Sequence, residues 1–242
     1  MTNTLPADWC TRFAEALRGP AQSDEKLNEF ADLLKGVDCS VPRFSSATPF
    51  LHPTMAHLEP LLAKAQGPEG IVQAARVISA HVNWYQIFAG GGIDPVLAQG
   101  MLAAQVAGQV GPYPSEALRA GLFLIAPGVH YPLHTHQADE VYYCVSGSIE
   151  IHHGRSRRLQ RLTPGRLSRT PSDQLHSMTT GDEPVLMFYC WTGAVDAPNW
   201  WWAETGDGTW ERARWERVAD GSWTQVQTEA VADDLLASPL NL

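Results

Sequence analysis

The chain has 242 residues, is 44% hydrophobic and carries a formal charge of −9. That is enough for one large domain or two small ones around an ordinary core. The acidic balance excludes nucleic acid as a partner, because phosphate binding needs clustered Lys and Arg. The short Arg155–Arg161 cluster reads instead as the solvent face of a strand pair. No apolar run is long enough to span a membrane, and the N-terminus lacks the basic-then-apolar layout of a signal peptide. The cysteines Cys10, Cys39, Cys144 and Cys190 are far apart in sequence and form no C-x-x-C pair. This argues for free thiols in the cytoplasm rather than a disulfide framework or zinc ribbon.

Residues 6 to about 110 read as helices. Leu27, Phe30, Leu33 and Leu34 recur at helical spacing, with Gly36 as a stop. Pro53-Thr54 opens a second candidate carrying His57, Leu58, Leu61 and Leu62, and 70–88 is a third, with Ile71, Val72, Ala75, Ile78, Val82 and Tyr85. Asp94-Pro95 is a helix start, with Asp as cap and Pro in the first turn, followed by Val96, Leu97, Met101, Leu102 and Val106. Pro/Gly-rich joints at Gly19-Pro20, Gly67-Pro68, 90–92 and Gly111-Pro112 separate these units. The pattern changes after Pro114. Short apolar runs at 118–125, 134–145, 148–153, 157–162, 166–170, 174–180 and 184–192 alternate with turns, as in an all-β sandwich or barrel. An aromatic tail follows, with Trp200, Trp201 and Trp202, then a hairpin over 210–226 turning at Asp220-Gly221, and a frayed or weakly helical end. The expected fold class is α+β: a helical region over 1–113 and an antiparallel barrel over 114–242.

One stretch, Gly128 to Gly147, concentrates chemistry. His134, His136, Glu140 and Tyr142 are all at even positions, so in an extended chain they share a face. Imidazole and carboxylate are ligands for a divalent transition metal. The spacing G-x5-H-x-H-x3-E-x6-G resembles the first signature motif of the cupin family. The second motif is matched by Gly165, Pro171 and His176, while Asp173 stands where the family has Gly and Thr180 where it has Asn. The resemblance implies a jelly-roll barrel with His134, His136, Glu140 and His176 as metal ligands. Such a set leaves open positions and accepts Fe(II), Mn(II), Zn(II), Co(II) or Ni(II). His130, His152 and His153 lack partners at ligand spacing and read as surface or turn residues; His57 and His81 read as structural.

The run Tyr131-Pro-x-His-x-His-x-Ala-x-Glu-x-Tyr142 goes beyond the general motif and resembles the cupin-type dimethylsulfoniopropionate (DMSP) lyases of marine bacteria. The helical N-terminal region, the length and the late Trp cluster look most like the L form, DddL. The resemblance implies a small sulfonium carboxylate as substrate and β-elimination to dimethyl sulfide and acrylate as reaction. It also implies Tyr142 as general base and Tyr131 as a substrate-contacting, catalytic residue. Elimination requires a neutralised carboxylate, a base near the α-carbon, and a site for the sulfonium, which suits aromatic faces. Trp191 and Trp202 are taken as the sulfonium contacts, from a set that includes Trp84, Tyr85, Trp200 and Trp201. Tyr143 should point to the opposite face, and Cys144 should be a buried, inert thiol. The ligands alone also permit an iron dioxygenase, a small-acid isomerase or a non-catalytic binding cupin. The apolar helical region could mediate a homodimer.

Overall fold

The computed structural model describes residues 8–19, 24–43, 47–90, 92–156, 158–219 and 221–242. The first seven residues, Pro20, Gly91, Arg157 and Asp220, on which some of the readings above rest in part, lie outside them. Helices α1 (Trp9–Arg18) and α2 (Glu25–Lys35) pack together, and α1 also packs on α4 (Glu69–His81). Asp24 caps α2 by accepting from the Lys26 backbone N–H at 2.9 Å. Leu27, Phe30, Ala31 and Leu34 form its buried stripe, whereas Leu33 is at the solvent edge. A 3₁₀ turn, Pro53–His57, leads into α3 (Leu58–Ala63).

The helical reading fails in two places. Helix α4 stops at His81 because Val82 turns extended, and Trp84–Gln86 forms strand β1. Asp94 does cap a helix, α5 (Pro95–Gly100), but the chain then becomes strand β2 (Met101–Ala107). Every residue of β2 is buried, so its apolar positions show no period-2 alternation, and its alanines favour helix in isolation. Tertiary pairing decides: β2 lies between β1 and β3 (Leu118–Ile125). The boundary expected between 113 and 114 thus falls between neighbouring strands of one sheet.

The other strands are β4 (His130–Thr135), β5 (Ala138–Gly147), β6 (Ile149–His153), β7 (Arg158–Leu162), β8 (Leu167–Thr170), β9 (His176–Thr179) and β10 (Val185–Gly193). The tail adds β11 (Asn199–Glu204), β12 (Trp210–Arg217) and β13 (Trp223–Ala230). They form two antiparallel sheets, β1-β2-β3-β10-β5-β8 and β13-β12-β11-β4-β9-β6-β7, the jelly roll of an α+β chain. The tight connection from β5 to β6 depends on Gly147, whose φ of +78° is left-handed; a Cβ there would meet the Pro184 carbonyl oxygen at 1.9 Å.

The helices lie outside the barrel. Val141, Tyr143 and Val145 of β5, and Leu186, Phe188 and Cys190 of β10, join the helical core, where Phe188 packs on Phe13 at 5.0 Å. Alternate residues, Tyr142 and Cys144 with Met187 and Tyr189, face the barrel interior. The end of the chain is not frayed. After α6 (Asp233–Ala237), Asn241 is buried and its Oδ1 accepts from the Leu175 backbone N–H at 2.9 Å. Among the described residues no helix is long and apolar enough to cross a membrane.

Candidate metal centre and its cavity

The stretch that unites the candidate ligands is not one strand. The chain leaves β4 after Thr135 and enters β5, in the other sheet, at Ala138. His134 therefore stands on one sheet, His136 at the corner and Glu140 on the other sheet. The even spacing brings them together across the barrel rather than along one strand face. His176, first residue of β9, pairs in register with His134.

Two motif departures keep the geometry. Asp173 adopts φ +61°, the left-handed conformation otherwise suited to Gly, which Asp tolerates better than most residues. Its backbone N–H donates to the His136 carbonyl at 2.9 Å, tying the turn before His176 to the corner that carries His136. Thr180 accepts from the Val129 N–H at 2.9 Å and donates to the Ala126 carbonyl at 2.7 Å, pinning the loop that leads into β4.

The three histidines are buried and oriented alike. Each Nδ1 faces a backbone carbonyl: Pro132 at 2.8 Å for His134, Ala138 at 2.9 Å for His136 and Gln174 at 2.9 Å for His176. A carbonyl only accepts, so Nδ1 carries the proton and Nε2 offers its lone pair. The three rings present metal-ligating nitrogens that all lie within 4.8 Å of one another. Glu140 Oε2 is 3.6 Å from His136 Nε2 and 3.5 Å from His176 Nε2. None of these three atoms has a hydrogen-bond partner although all are buried. Orphaned buried acceptors are costly. Donors about 2.1 Å from one tetrahedral ion lie about 3.4 Å apart, so the carboxylate-to-imidazole separations fit a shared divalent cation. The donor set fits a transition metal, and its identity is not fixed by N and O ligands.

For His134 the electrostatics agree. Burial, then the neighbouring His176 and His136, push the His134 imidazole well below its ordinary range, keeping it neutral. Burial raises the Glu140 carboxyl, and a proton or positive charge on its His136 and His176 neighbours lowers it more; with both Nε2 atoms bare, that charge would have to come from a bound cation. Its other oxygen accepts from Trp191 Nε1, and the Trp191 ring stacks on His136 at 4.5 Å. Trp191 and Glu140 are cross-strand partners on β10 and β5, which is why they meet. Trp191 thus holds two candidate ligands as well as bordering the adjoining space.

That space is a cavity of about 270 Å³. Tyr131, Tyr142 and Trp191 line it beside the ligands; Tyr85, Phe123 and Tyr189 continue the aromatic wall, and Gln105, Arg119, Asn199 and Arg217 add polar groups. Tyr131 stacks on His134 at 3.8 Å, and its hydroxyl accepts from Asn199 Nδ2 at 2.6 Å. Burial, followed by the Glu140 charge, pushes the Tyr142 phenol well above its ordinary range. Burial raises Tyr131 as well.

The structure brings together His134, His136, Glu140, His176, Tyr131, Tyr142 and Trp191. It does not bring Trp202 to the cavity. Trp202 packs with Leu133, Leu175 and Val231, and its Nε1 donates to Thr135 Oγ1 at 3.1 Å, because it and Trp201 alternate across β11. Trp84 faces the helices, and Trp200 carries the Arg212 guanidinium over its ring. His153, read as a surface or turn residue, is buried on β6 opposite His176, with its Nε2 unpartnered. Sequence reasoning missed Gln105, Arg119, Asn199 and Arg217. Gln105 and Arg119 lie on strands buried almost throughout, Asn199 and Arg217 on strands half-open to solvent, and in neither setting does a lone polar residue announce which side it serves. Cys144 is buried and its thiol is pushed up to about 12 by that burial, as an inert thiol should be.

A jelly roll with a buried His/Glu cluster behind the aromatic wall of a cavity defines the cupin class of metal-binding barrels. The dimethylsulfoniopropionate lyase family model matches residues 42–187. The chain belongs to that family. DMSP lyase DddQ of Ruegeria pomeroyi is 33% identical over 90 residues, a match covering 37% of this chain and 44% of that protein's length. The crystal structure of the same organism's DddQ superposes with a TM-score of 0.60 at 23% identity, covering 80% of this chain and 95% of that one. A further structure, from a report on the DMSP lyases RdDddP and RnDddQII, gives 0.59 at 22% identity, covering 79% and 96%. At that identity the two structures establish the fold.

Proposed function

We propose that this chain is a metal-dependent carbon–sulfur lyase that cleaves DMSP to dimethyl sulfide and acrylate. The observation that carries the reading is the join between two features: orphaned ligand atoms of His136, Glu140 and His176, and an aromatic cavity bordered by Tyr131 and Tyr142. His134, His136, Glu140 and His176 would hold the metal. A divalent cation there supplies Lewis acidity to the substrate carboxylate and offsets the Glu140 charge that otherwise raises the Tyr142 phenol.

The remaining roles fall to the chain. Tyr142 takes the proton from the carbon next to the carboxylate; that electron pair forms the new double bond, and the carbon–sulfur bond breaks with its electrons leaving on sulfur. Positive sulfonium becomes neutral dimethyl sulfide, so no acid is needed for the leaving group. Tyr131, fixed by Asn199 and by its stack on His134, positions the substrate. The faces of Tyr85, Tyr189 and Trp191 suit a sulfonium cation. Resemblance to the L form rests on the N-terminal region and the Trp cluster, whereas the relatives matched above are described as Q-form enzymes. The proposed reaction does not depend on that choice.

The test is headspace dimethyl sulfide after incubation with DMSP under anaerobic conditions, with Fe(II), Mn(II), Zn(II), Co(II) or Ni(II) supplied. Oxygen-independent release is expected. No release with any of these metals would refute the assignment, and release that requires oxygen would point to an oxygenase.

A further inference from the structure

Two cysteines distant in sequence meet in space. Cys10 lies on α1 and Cys39 just beyond the end of α2, 29 residues later, and their Sγ atoms are 3.2 Å apart. Cys10 is 3% exposed, while Cys39 is only partly buried and open to reagent. Neither takes part in the reaction proposed above. The other two thiols, Cys144 and Cys190, are sealed in the barrel and in the layer between sheet and helices, respectively.

We propose that Cys10 and Cys39 are a reversible disulfide site, closed by exchange with a small-molecule disulfide such as oxidised glutathione. A disulfide needs its sulfurs about 2.0 Å apart, so closure asks for a movement of about 1 Å, within side-chain reach. Chemistry assigns the order of events. Either thiol can donate across the contact; exposure assigns the roles, since Cys10 is buried and Cys39 only partly so. Cys39 is thus the sulfur a reagent reaches first. The Cys39 thiolate attacks one sulfur of the reagent disulfide, forming a mixed disulfide and expelling one thiolate. Cys10 then loses its proton and attacks the Cys39 sulfur, expelling the second. Two protein thiols are oxidised and one reagent disulfide is reduced to two thiols, so electrons and protons balance. Burial holds the Cys10 thiol protonated until Cys39 is capped, which leaves Cys10 as the resolving thiol.

Closure would staple α1 to the segment after α2, around a loop containing both helices. Restricting that loop in the unfolded chain raises stability. The helical layer lies outside the barrel, so turnover per folded molecule should not change.

The experiment treats the purified, metal-loaded protein with oxidised glutathione and then maps peptides by mass spectrometry without reduction. Expected are a Cys10–Cys39 linked peptide, a fall from four titratable thiols to two in denaturant, a rise of several degrees in the unfolding temperature, and reversal of all three by dithiothreitol. Cys10→Ser should stop at a stable glutathione adduct on Cys39, and Cys39→Ser should leave Cys10 unreacted in the folded protein. A persistent glutathione adduct on wild-type Cys39 would overturn the proposal. So would a link involving Cys144 or Cys190, or four free thiols under conditions that oxidise a small dithiol.

Discussion

The two faces of strands β5 and β10 do different work. On the helix side, Val141, Tyr143, Val145, Leu186, Phe188 and Cys190 are packed against apolar helix residues. On the barrel side, one residue away along the same strands, Glu140, Tyr142, Tyr189 and Trp191 face ligands or cavity. Buried acceptors without partners gather there, at His136, Glu140 and His176. Hydrophobic burial on one face supplies stability that the other face spends on holding polar groups in a dry interior. Tyr142 and Tyr143 are adjacent in sequence and belong to different problems.

Substitutions on the two faces should separate activity from stability. The largest effect is expected from His176→Ala, which removes a donor. Bound metal, measured by atomic absorption, should be lost and dimethyl sulfide release should fall to background; metal at full occupancy would remove His176 from the ligand set. Tyr142→Phe should keep the metal and reduce release by about 10²–10⁴-fold, the range for loss of a positioned acid or base. Activity near wild type would place the base elsewhere. Across the strand, Phe188→Ala should act in the opposite sense. It empties the contact with Phe13 and should cost about 3–5 kcal/mol of stability in urea melts, with metal content and turnover per folded molecule kept. If turnover falls with stability intact, the two faces are not separable.

A smaller change is expected from Trp191→Phe, which keeps the stack on His136 and deletes the N–H donated to Glu140. Metal affinity should fall by about 10–100-fold, as for other groups that orient a ligand, and competition with a chelator measures it. An unchanged affinity would confine Trp191 to the cavity wall.

The mildest test is pH. The His134 imidazole is depressed by burial and its neighbouring histidines, and His153 is depressed to about 4 by burial first and His176 second. Both are neutral in the fold and take a proton in the unfolded chain near pH 6.5. Their contribution to stability is therefore fully present above about pH 6.5 and is lost as pH falls toward the folded values. Melts of metal-free protein should show decreasing unfolding temperature between about pH 6.5 and 4. His153→Gln should flatten part of that slope; an identical slope would show that His153 does not contribute.

Much of the site was legible in the chain because its spacing is local. His134, His136 and Glu140 lie within seven residues, and a corner that brings them together fixes their separations. Gly147 and the turn before His176 were legible for the same reason: backbone conformation there is dictated by one or two residues, and Asp173 meets the demand that Gly would meet. The strand spans from 118 to 192 followed from alternation and turn residues, except that the run over 134–145 is broken between β4 and β5, which lie in different sheets. What failed was whatever depends on partners far away in sequence. Met101–Ala107 is a strand because β1 and β3 flank it, though its alanines and unbroken burial suit a helix equally. Trp202 misses the cavity and Tyr189 enters it through the parity of strands whose facing is set by the whole barrel. The sequence by itself determined which residues are candidate metal donors and the turns that space them, because both are encoded within a few residues. Only the tertiary structure decided that those candidate donors span two sheets, that Trp191 holds Glu140, and that Cys10 meets Cys39, because each of those contacts joins segments that the chain separates and only packing brings together.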